Sequence, residues 1–186
     1  MPLDASRNPL VLPLLGLLVE QPAHAYDLTA RLRDRYGPAL SPTRSTVTSL
    51  LKALERNGLV AAERSERVGK RPLRTVYEVT GAGVEDMKGK VVGGLRNARV
   101  ASPDFALAVA YVGILPVEEA LSIVDARVER LDEQLGELDP RPEGVAEVHM
   151  LEVAYWRTIV TAELGWLTTL AQRMRSGDLD WTGGDR

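Results

Sequence analysis

Residues 41–58 read SPTRSTVTSLLKALERNG, and this stretch decides the fold. Ser41 is typical of a helix cap, Pro42 of a first helical position and Gly58 of a helix end. Between these limits the apolar residues recur every three or four positions. They are Val47, Leu50, Leu51 and Leu54. The stretch therefore predicts an amphipathic helix with one apolar face.

Two further helices are predicted before this stretch. Asn8-Pro9 is typical of a helix start, and the apolar residues that follow predict a helix to about Glu20. Residues 25–36 predict a second helix, because apolar side chains recur four positions apart, and Gly37-Pro38 ends it.

The residues after this stretch predict a hairpin. Residues 59–64 and 75–79 have the short length and β-branched content of strands, and the loop between them is polar and rich in turn formers. Three helices followed by a two-stranded hairpin form the element order of a winged helix-turn-helix domain. The rest of the chain predicts helices at about residues 82–100, 103–115, 116–138 and 143–174. We therefore expect a mainly α protein.

The net charge of −3 conceals a difference between the two halves of the chain. Residues 1–90 carry 14 lysines and arginines against 10 aspartates and glutamates, whereas residues 91–186 carry 9 against 16. A basic half beside an acidic half indicates that the first half meets a polyanion such as DNA.

The polar face of the 41–58 helix carries hydroxyl and basic side chains, which bond phosphates and base edges. The segment Arg64–Arg74 has five basic residues against Glu66 alone, so a wing here would lie along the phosphate backbone. The predicted DNA contacts are Thr43, Arg44, Ser45, Thr48, Ser49 and Lys52 in the helix and Arg67, Lys70, Arg71 and Arg74 in the wing.

Five short stretches, taken in order, resemble the PadR family of transcriptional regulators over about residues 9–87. They are LLGLL at 14–18, YDL at 26–28, LLKALERNGLV at 50–60, GKRP at 69–72 and YEVTGAG at 77–83. The helical second half resembles the longer PadR subfamily, whose extra domain is of the virulence-activator type.

This resemblance implies a dimeric repressor that a small molecule releases from its operator, and it places a further DNA contact at Tyr26. Two positions depart from the family pattern. Ala25 stands where the family usually has glycine, and Thr48-Ser49 stands where it usually has Tyr-Pro. The fold should tolerate both changes, whereas the operator sequence of relatives cannot be carried over. We expect two recognition helices about one DNA turn apart on a pseudo-palindromic site.

The second half contains a heptad pattern and most of the large aromatic rings. The pattern predicts a helix that needs a partner helix, and we assign dimerisation to Leu121, Val124, Val128, Leu131 and Leu135, with Ile159 from the last helix. Flat apolar effectors stack on aromatic rings, so a pocket is predicted from Phe105, Tyr111, Tyr155, Trp156 and Trp166. The alternative is that these rings only pack the helical interface.

Several classes of function are excluded. The chain has no cysteine and only His24 and His149, so thiol chemistry and a multi-histidine metal centre are ruled out. No catalytic motif is present, and no enzyme activity, metal or cofactor is expected. The apolar segment 105–117 is shorter than the roughly 20 residues of a membrane span. The apolar segment 9–19 could instead be a secretory signal, but Asp4 stands where a basic leader is needed and Pro13 interrupts the apolar residues. With no cysteine and no convincing export signal, we expect a cytoplasmic protein without a membrane partner.

The partners predicted are a double-stranded DNA operator, a second copy of the chain and a small aromatic effector of unknown identity. We divide the chain into three parts: a DNA-binding domain (residues 1–90), a dimerisation and effector domain (residues 91–176) and a flexible tail (residues 177–186). The DNA-binding domain includes the start of a linker helix. The alternative function is a helical protein-interaction adaptor whose winged-helix domain no longer binds DNA; Thr48-Ser49 is its only support.

Overall fold

Three helices form the first part of the chain, as its apolar periodicity predicts. The computed structural model describes residues 8–66, 74–138 and 144–181. Helices α1 (Val11–Glu20), α2 (Ala25–Tyr36) and α3 (Arg44–Arg56) pack around one core. Its fully buried side chains are Leu14, Leu15, Leu28, Leu32, Val47, Leu50 and Leu51. Burying each such side chain contributes roughly 1.5–3 kcal/mol, so this core fixes the position of α3.

A small antiparallel sheet lies against these helices. Strands β1 (Ala23–His24), β2 (Val60–Glu66) and β3 (Arg74–Val79) are arranged in the order β1-β3-β2. The pairing of β2 with β3 is the predicted hairpin, and its register is irregular between Ala62 and Arg64. Strand β1 was not predicted, because two residues are too short to show an alternating pattern. Burial raises the pKa of Tyr77 on β3, and the nearby Glu55 carboxylate raises it further.

Helix α4 (Gly81–Asn97) begins after Thr80, whose hydroxyl accepts a hydrogen bond from the Gly83 amide at 3.0 Å. A Cβ atom at Gly83 would lie 2.0 Å from the Leu59 carbonyl oxygen. This helix therefore approaches the start of the hairpin so closely that glycine is required.

The remaining helices form a second unit. The chain divides into Met1–Lys90 and Val91–Arg186, and α4 contains the boundary. Helix α5 (Pro103–Ala110) is followed by a 3-10 turn, Val112–Ile114, and by α6 (Val117–Glu137). Another 3-10 turn, Glu147–Met150, precedes α7 (Leu151–Ser176). Helices α6 and α7 pack along each other. Among the described residues, no helix is both long and apolar enough to span a membrane.

Two of the six predicted dimerisation residues are buried within their own chain. Val124 and Leu131 are 1% and 2% exposed, because α6 buries them on packing against α7. They are therefore not available to a second copy, and this corrects their assignment to a dimer interface. Leu121, Val128, Leu135 and Ile159 are half-buried.

Four further details differ from the predictions. Helix α3 begins at Arg44, since Thr43 and not Ser41 is its cap. Helix α5 ends at Ala110 and α7 begins at Leu151, so both are shorter than predicted. The predicted flexible tail is attached at Trp181, whose indole N–H donates to the Leu115 carbonyl at 3.0 Å. Residues 182–186 of that tail lie outside the described part of the chain.

Candidate nucleic-acid interface

Helix α3 separates its apolar and polar side chains completely over residues 43–52. Its apolar residues face the core of the first unit, and every side chain that reaches solvent there is a hydroxyl or a base. The exposed set is Thr43, Arg44, Ser45, Thr46, Ser49 and Lys52, with Thr48 half-buried. The structure therefore brings the predicted helix contacts together on one surface, which we call the α3 face.

The N-terminal cap uses one of the predicted contact residues. The Thr43 hydroxyl accepts a hydrogen bond from the Thr46 amide at 3.2 Å and lies 2.8 Å from the Ser45 hydroxyl. Ser41 donates instead to the Gly37 carbonyl. The first amides of a helix have no acceptor within it, so those of Arg44 and Ser45 point out of the helix end, where an anion binds well. The prediction omitted Thr46, although this hydroxyl residue directly follows Thr43-Arg44-Ser45 in the sequence.

Internal bonds restrict what some of these side chains can offer to a ligand. The Thr48 hydroxyl donates to the Arg44 carbonyl at 2.8 Å, so it is left as an acceptor only. Arg44 and Lys52 form no ion pair with another residue in the described ranges. By contrast, Arg31 and Arg35 of α2 both pair with Glu20 at 2.5 Å. Among the described residues, no carboxylate therefore competes with a phosphate for the charges of Arg44 and Lys52.

Tyr26 lies in the first turn of α2 and is 56% exposed. The preceding His24 caps this helix, because its Nδ1 accepts a hydrogen bond from the Asp27 amide at 3.3 Å. The His24 and Tyr26 rings meet edge to face, with centroids 6.4 Å apart. Tyr26 is therefore held at the surface, where the resemblance places a DNA contact.

The predicted wing contacts are only partly within the described structure. Arg67, Lys70 and Arg71 lie outside the described residues. Arg74 is the first residue of β3 and pairs in register with Glu66 of β2.

The five predicted effector-site aromatics do not form one cluster. Phe105 meets Trp166 edge to face at a centroid distance of 6.4 Å, and Tyr155 meets Trp156 at 5.6 Å. The two pairs lie about three turns apart along α7, and Tyr111 is buried. An open groove of about 480 Å³ on α6 has three carboxylates, Glu118, Asp125 and Glu129, and no aromatic ring among its lining residues.

Comparison with known proteins identifies a family of transcriptional regulators. Residues 14–89 match the sequence profile of the transcriptional regulator PadR-like family. The chain belongs to this family. A PadR-like protein is a DNA-binding transcriptional regulator and not an enzyme. In this chain, α3 is the third helix of the winged helix-turn-helix unit. No protein of curated function matches the chain.

Solved structures of similar proteins include Bacillus subtilis PadR in complex with operator DNA. It is 18% identical over 90% of this chain and 99% of that one, with a TM-score of 0.45. The same protein in complex with p-coumaric acid is 17% identical over 90% and 99%, with a TM-score of 0.39. A protein from Thermoplasma acidophilum, described as a candidate transcriptional regulator, is 32% identical over 42% of this chain and 73% of its own, with a TM-score of 0.38. Because these TM-scores are below 0.5, the family assignment rests on the sequence of residues 14–89.

Proposed function

We propose that this PadR-like regulator is a sequence-specific repressor that binds a pseudo-palindromic operator as a homodimer and is released by a small hydrophobic or aromatic effector. One observation carries the DNA-binding part. Over residues 43–52, every solvent-exposed side chain of α3 and its cap is a hydroxyl or a base, and no carboxylate is present. A recognition helix needs such a surface to enter the negatively charged major groove.

The roles on the α3 face follow from what each group can donate. Arg44 has a planar guanidinium that suits the two acceptors of a guanine edge, and it lies at the end of the helix that enters the groove. Lys52, two turns later, suits a phosphate. The amides of Arg44 and Ser45 also suit a phosphate, because they lack acceptors within the helix.

We assign an auxiliary role to the wing and to Tyr26. The basic residues Arg67, Lys70, Arg71 and Arg74 would neutralise phosphates and so raise the affinity for any DNA sequence. Tyr26 can donate its hydroxyl to a phosphate from the exposed start of α2.

The homodimer is supported by exposed apolar side chains on and just before α7. Val148, Leu151, Tyr155 and Trp156 are between 47% and 64% exposed. So many large apolar side chains on one helix indicate a surface that another protein covers. Since a palindromic site needs two recognition helices, we assign this surface to a second copy of the chain.

The effector site is assigned to the ring pair of Phe105 and Trp166. Trp166 is 47% exposed while its edge-to-face partner Phe105 is buried, so the tryptophan is held in place and one part of its ring is open to a flat ligand. A thermal-shift screen with small aromatic compounds would identify such a ligand, because binding to the folded state alone raises the melting temperature.

A mobility-shift titration tests the proposed function. Purified protein should retard DNA from the region upstream of its own gene at concentrations that leave a scrambled fragment free. The affinity should fall steeply between 50 and 200 mM salt, by about 10³-fold if six phosphates are neutralised. Equal binding to both fragments, or binding that salt does not change, would refute the proposal.

A further inference from the structure

The C-terminal end of α4 is capped by side chains from a different helix. The last carbonyls of a helix have no donors within it. Here Nη1 of Arg127 donates to the carbonyls of Leu95 and Ala98, both at 3.0 Å. Nη2 of Arg130 donates to the Arg96 carbonyl at 2.7 Å. Both arginines belong to α6, and their positive charge suits the negative end of the α4 dipole.

A carboxylate on α7 completes this arrangement. Oε1 of Glu163 accepts hydrogen bonds from Nε of Arg127 at 2.9 Å and from its Nη2 at 2.5 Å. Oε2 accepts one from the Ala101 amide at 2.8 Å. Ala101 has a φ of 56°, which residues other than glycine rarely adopt. The bond from Glu163, together with that from the Ser102 amide to the Arg99 carbonyl, holds the turn between α4 and α5.

The pair is buried, and its hydrogen bonds are directional. Arg127 is 2% and Glu163 8% exposed in their side chains, and the guanidinium lies 4.1 Å from the centroid of the Phe105 ring. A buried ion pair adds little stability compared with well-packed apolar residues. What Arg127 and Glu163 supply, and apolar residues cannot, is hydrogen bonding to the α4 carbonyls and to the Ala101 amide.

We propose that Arg127 and Glu163 form a lock that holds the junction of α4 and α5 only while α6 and α7 are packed together. Moving α7 away from α6 would remove Glu163 from Arg127 and from Ala101 in one step. The end of α4 and the left-handed turn would then be released together. Because α4 begins in the unit that contains α3, a released junction weakens DNA binding; this second part rests on the proposed function.

Hydrogen exchange of the full chain tests the lock. The double variant Arg127→Met/Glu163→Met leaves no buried charge unpaired, and Arg127→Lys keeps the charge but loses the planar fork. In the double variant, the Ala101 amide and those of the last turn of α4 should exchange at least about tenfold faster than in the wild type. In Arg127→Lys, which keeps the bond from Glu163 to Ala101, the amides of the last turn of α4 should show this increase. The matched control is Asp125→Asn/Arg175→Met, which removes an exposed ion pair of 2.6 Å between the same two helices. It should leave these amides unchanged.

The outcomes separate a lock from a general loss of stability. Fast exchange at the junction should persist in the double methionine variant even if its urea midpoint equals that of the wild type. Junction amides that stay protected, or that speed up only by the same factor as the rest of residues 91–186, would overturn the lock.

DNA affinity provides the second readout. The double methionine variant should bind the upstream fragment at least about fivefold more weakly, with the control unchanged. An unchanged affinity with a released junction would overturn the link to DNA. A wild type that does not bind the fragment would refute the proposed function instead, and the exchange result would still decide the lock.

Discussion

Single residues at the start of α3 decide where the helix begins. Thr43, and not Ser41, supplies the cap, so the helix begins two residues later than the Ser-Pro pair indicates. The shift places Arg44 at the first helical position, with its side chain exposed. Thr43, which we propose as a DNA contact, is thus also the residue that stabilises the first turn of α3.

Removal of this cap should be measurable in the free protein. Thr43→Ala should lower the free energy of unfolding by about 0.5–2 kcal/mol, because the Thr46 amide loses its acceptor. Ser41→Ala is the matched control, since the Ser41 hydroxyl donates to the Gly37 carbonyl and does not cap α3. Chemical denaturation of both variants decides the assignment: a larger loss for Ser41→Ala would show that Ser41 is the cap.

A second single-residue prediction concerns two glycines of α4. Gly83→Ala should destabilise the protein by about 1–3 kcal/mol or more, because the added Cβ collides with the backbone carbonyl of Leu59. Gly89→Ala places the same methyl group in open space on the same helix and should stabilise by about 0.5–1 kcal/mol. Thermal unfolding of the two variants should therefore shift in opposite directions. A shift in the same direction would mean that the close approach at Gly83 is not a constraint.

At the scale of elements, the sequence predicted the helices and strands that have a local periodic pattern. It did not predict which distant element each of them packs against. The apolar period of α3 and the β-branched strand β3 are local patterns, and both were predicted within two residues. The heptad pattern of α6 showed that a partner helix was needed. It could not show that α7 of the same chain is that partner, because a seam looks the same for either.

The functional residues also include some that local patterns predict and others that they do not. The α3 face was predictable, since helical spacing alone separates Val47 and Leu50 from Arg44 and Lys52. The lock at Arg127 was not: an arginine within a heptad gives no sign that it reaches the carbonyls of α4, 29 to 32 residues earlier. The aromatic residues were predicted to share a site because they are of one chemical type. Residue type alone does not determine how far apart the rings lie in the fold.

The two surfaces of the helical unit should respond differently to substitution. Leu131→Ala should lower the free energy of unfolding by about 2–5 kcal/mol at any protein concentration, since Leu131 is buried between α6 and α7. Tyr155→Ala/Trp156→Ala should leave monomer stability nearly unchanged but weaken self-association, because both rings are exposed. Analytical ultracentrifugation over a range of concentrations checks this, and a double variant that associates like the wild type would remove α7 from the proposed dimer surface.

At the scale of the whole molecule, the net charge of −3 is the sum of two opposite contributions. The basic half contains the winged helix-turn-helix unit with α3, and the acidic half contains α6 and α7. This division suits a regulator in which one unit approaches DNA and the other is repelled by it. The central claim is that the α3 face reads a DNA sequence.

The measurement that tests this claim most directly is a fluorescence-anisotropy titration of Arg44→Ala and Arg56→Ala with the upstream fragment and its scrambled counterpart. Arg44→Ala should weaken binding to the upstream fragment by about 1–3 kcal/mol, roughly 5- to 150-fold in Kd, and change binding to the scrambled fragment far less. Arg56→Ala, at the opposite end of α3, should keep the wild-type preference. If Arg44→Ala keeps that preference too, or if it weakens binding to both fragments equally, α3 does not read the sequence in the way proposed here.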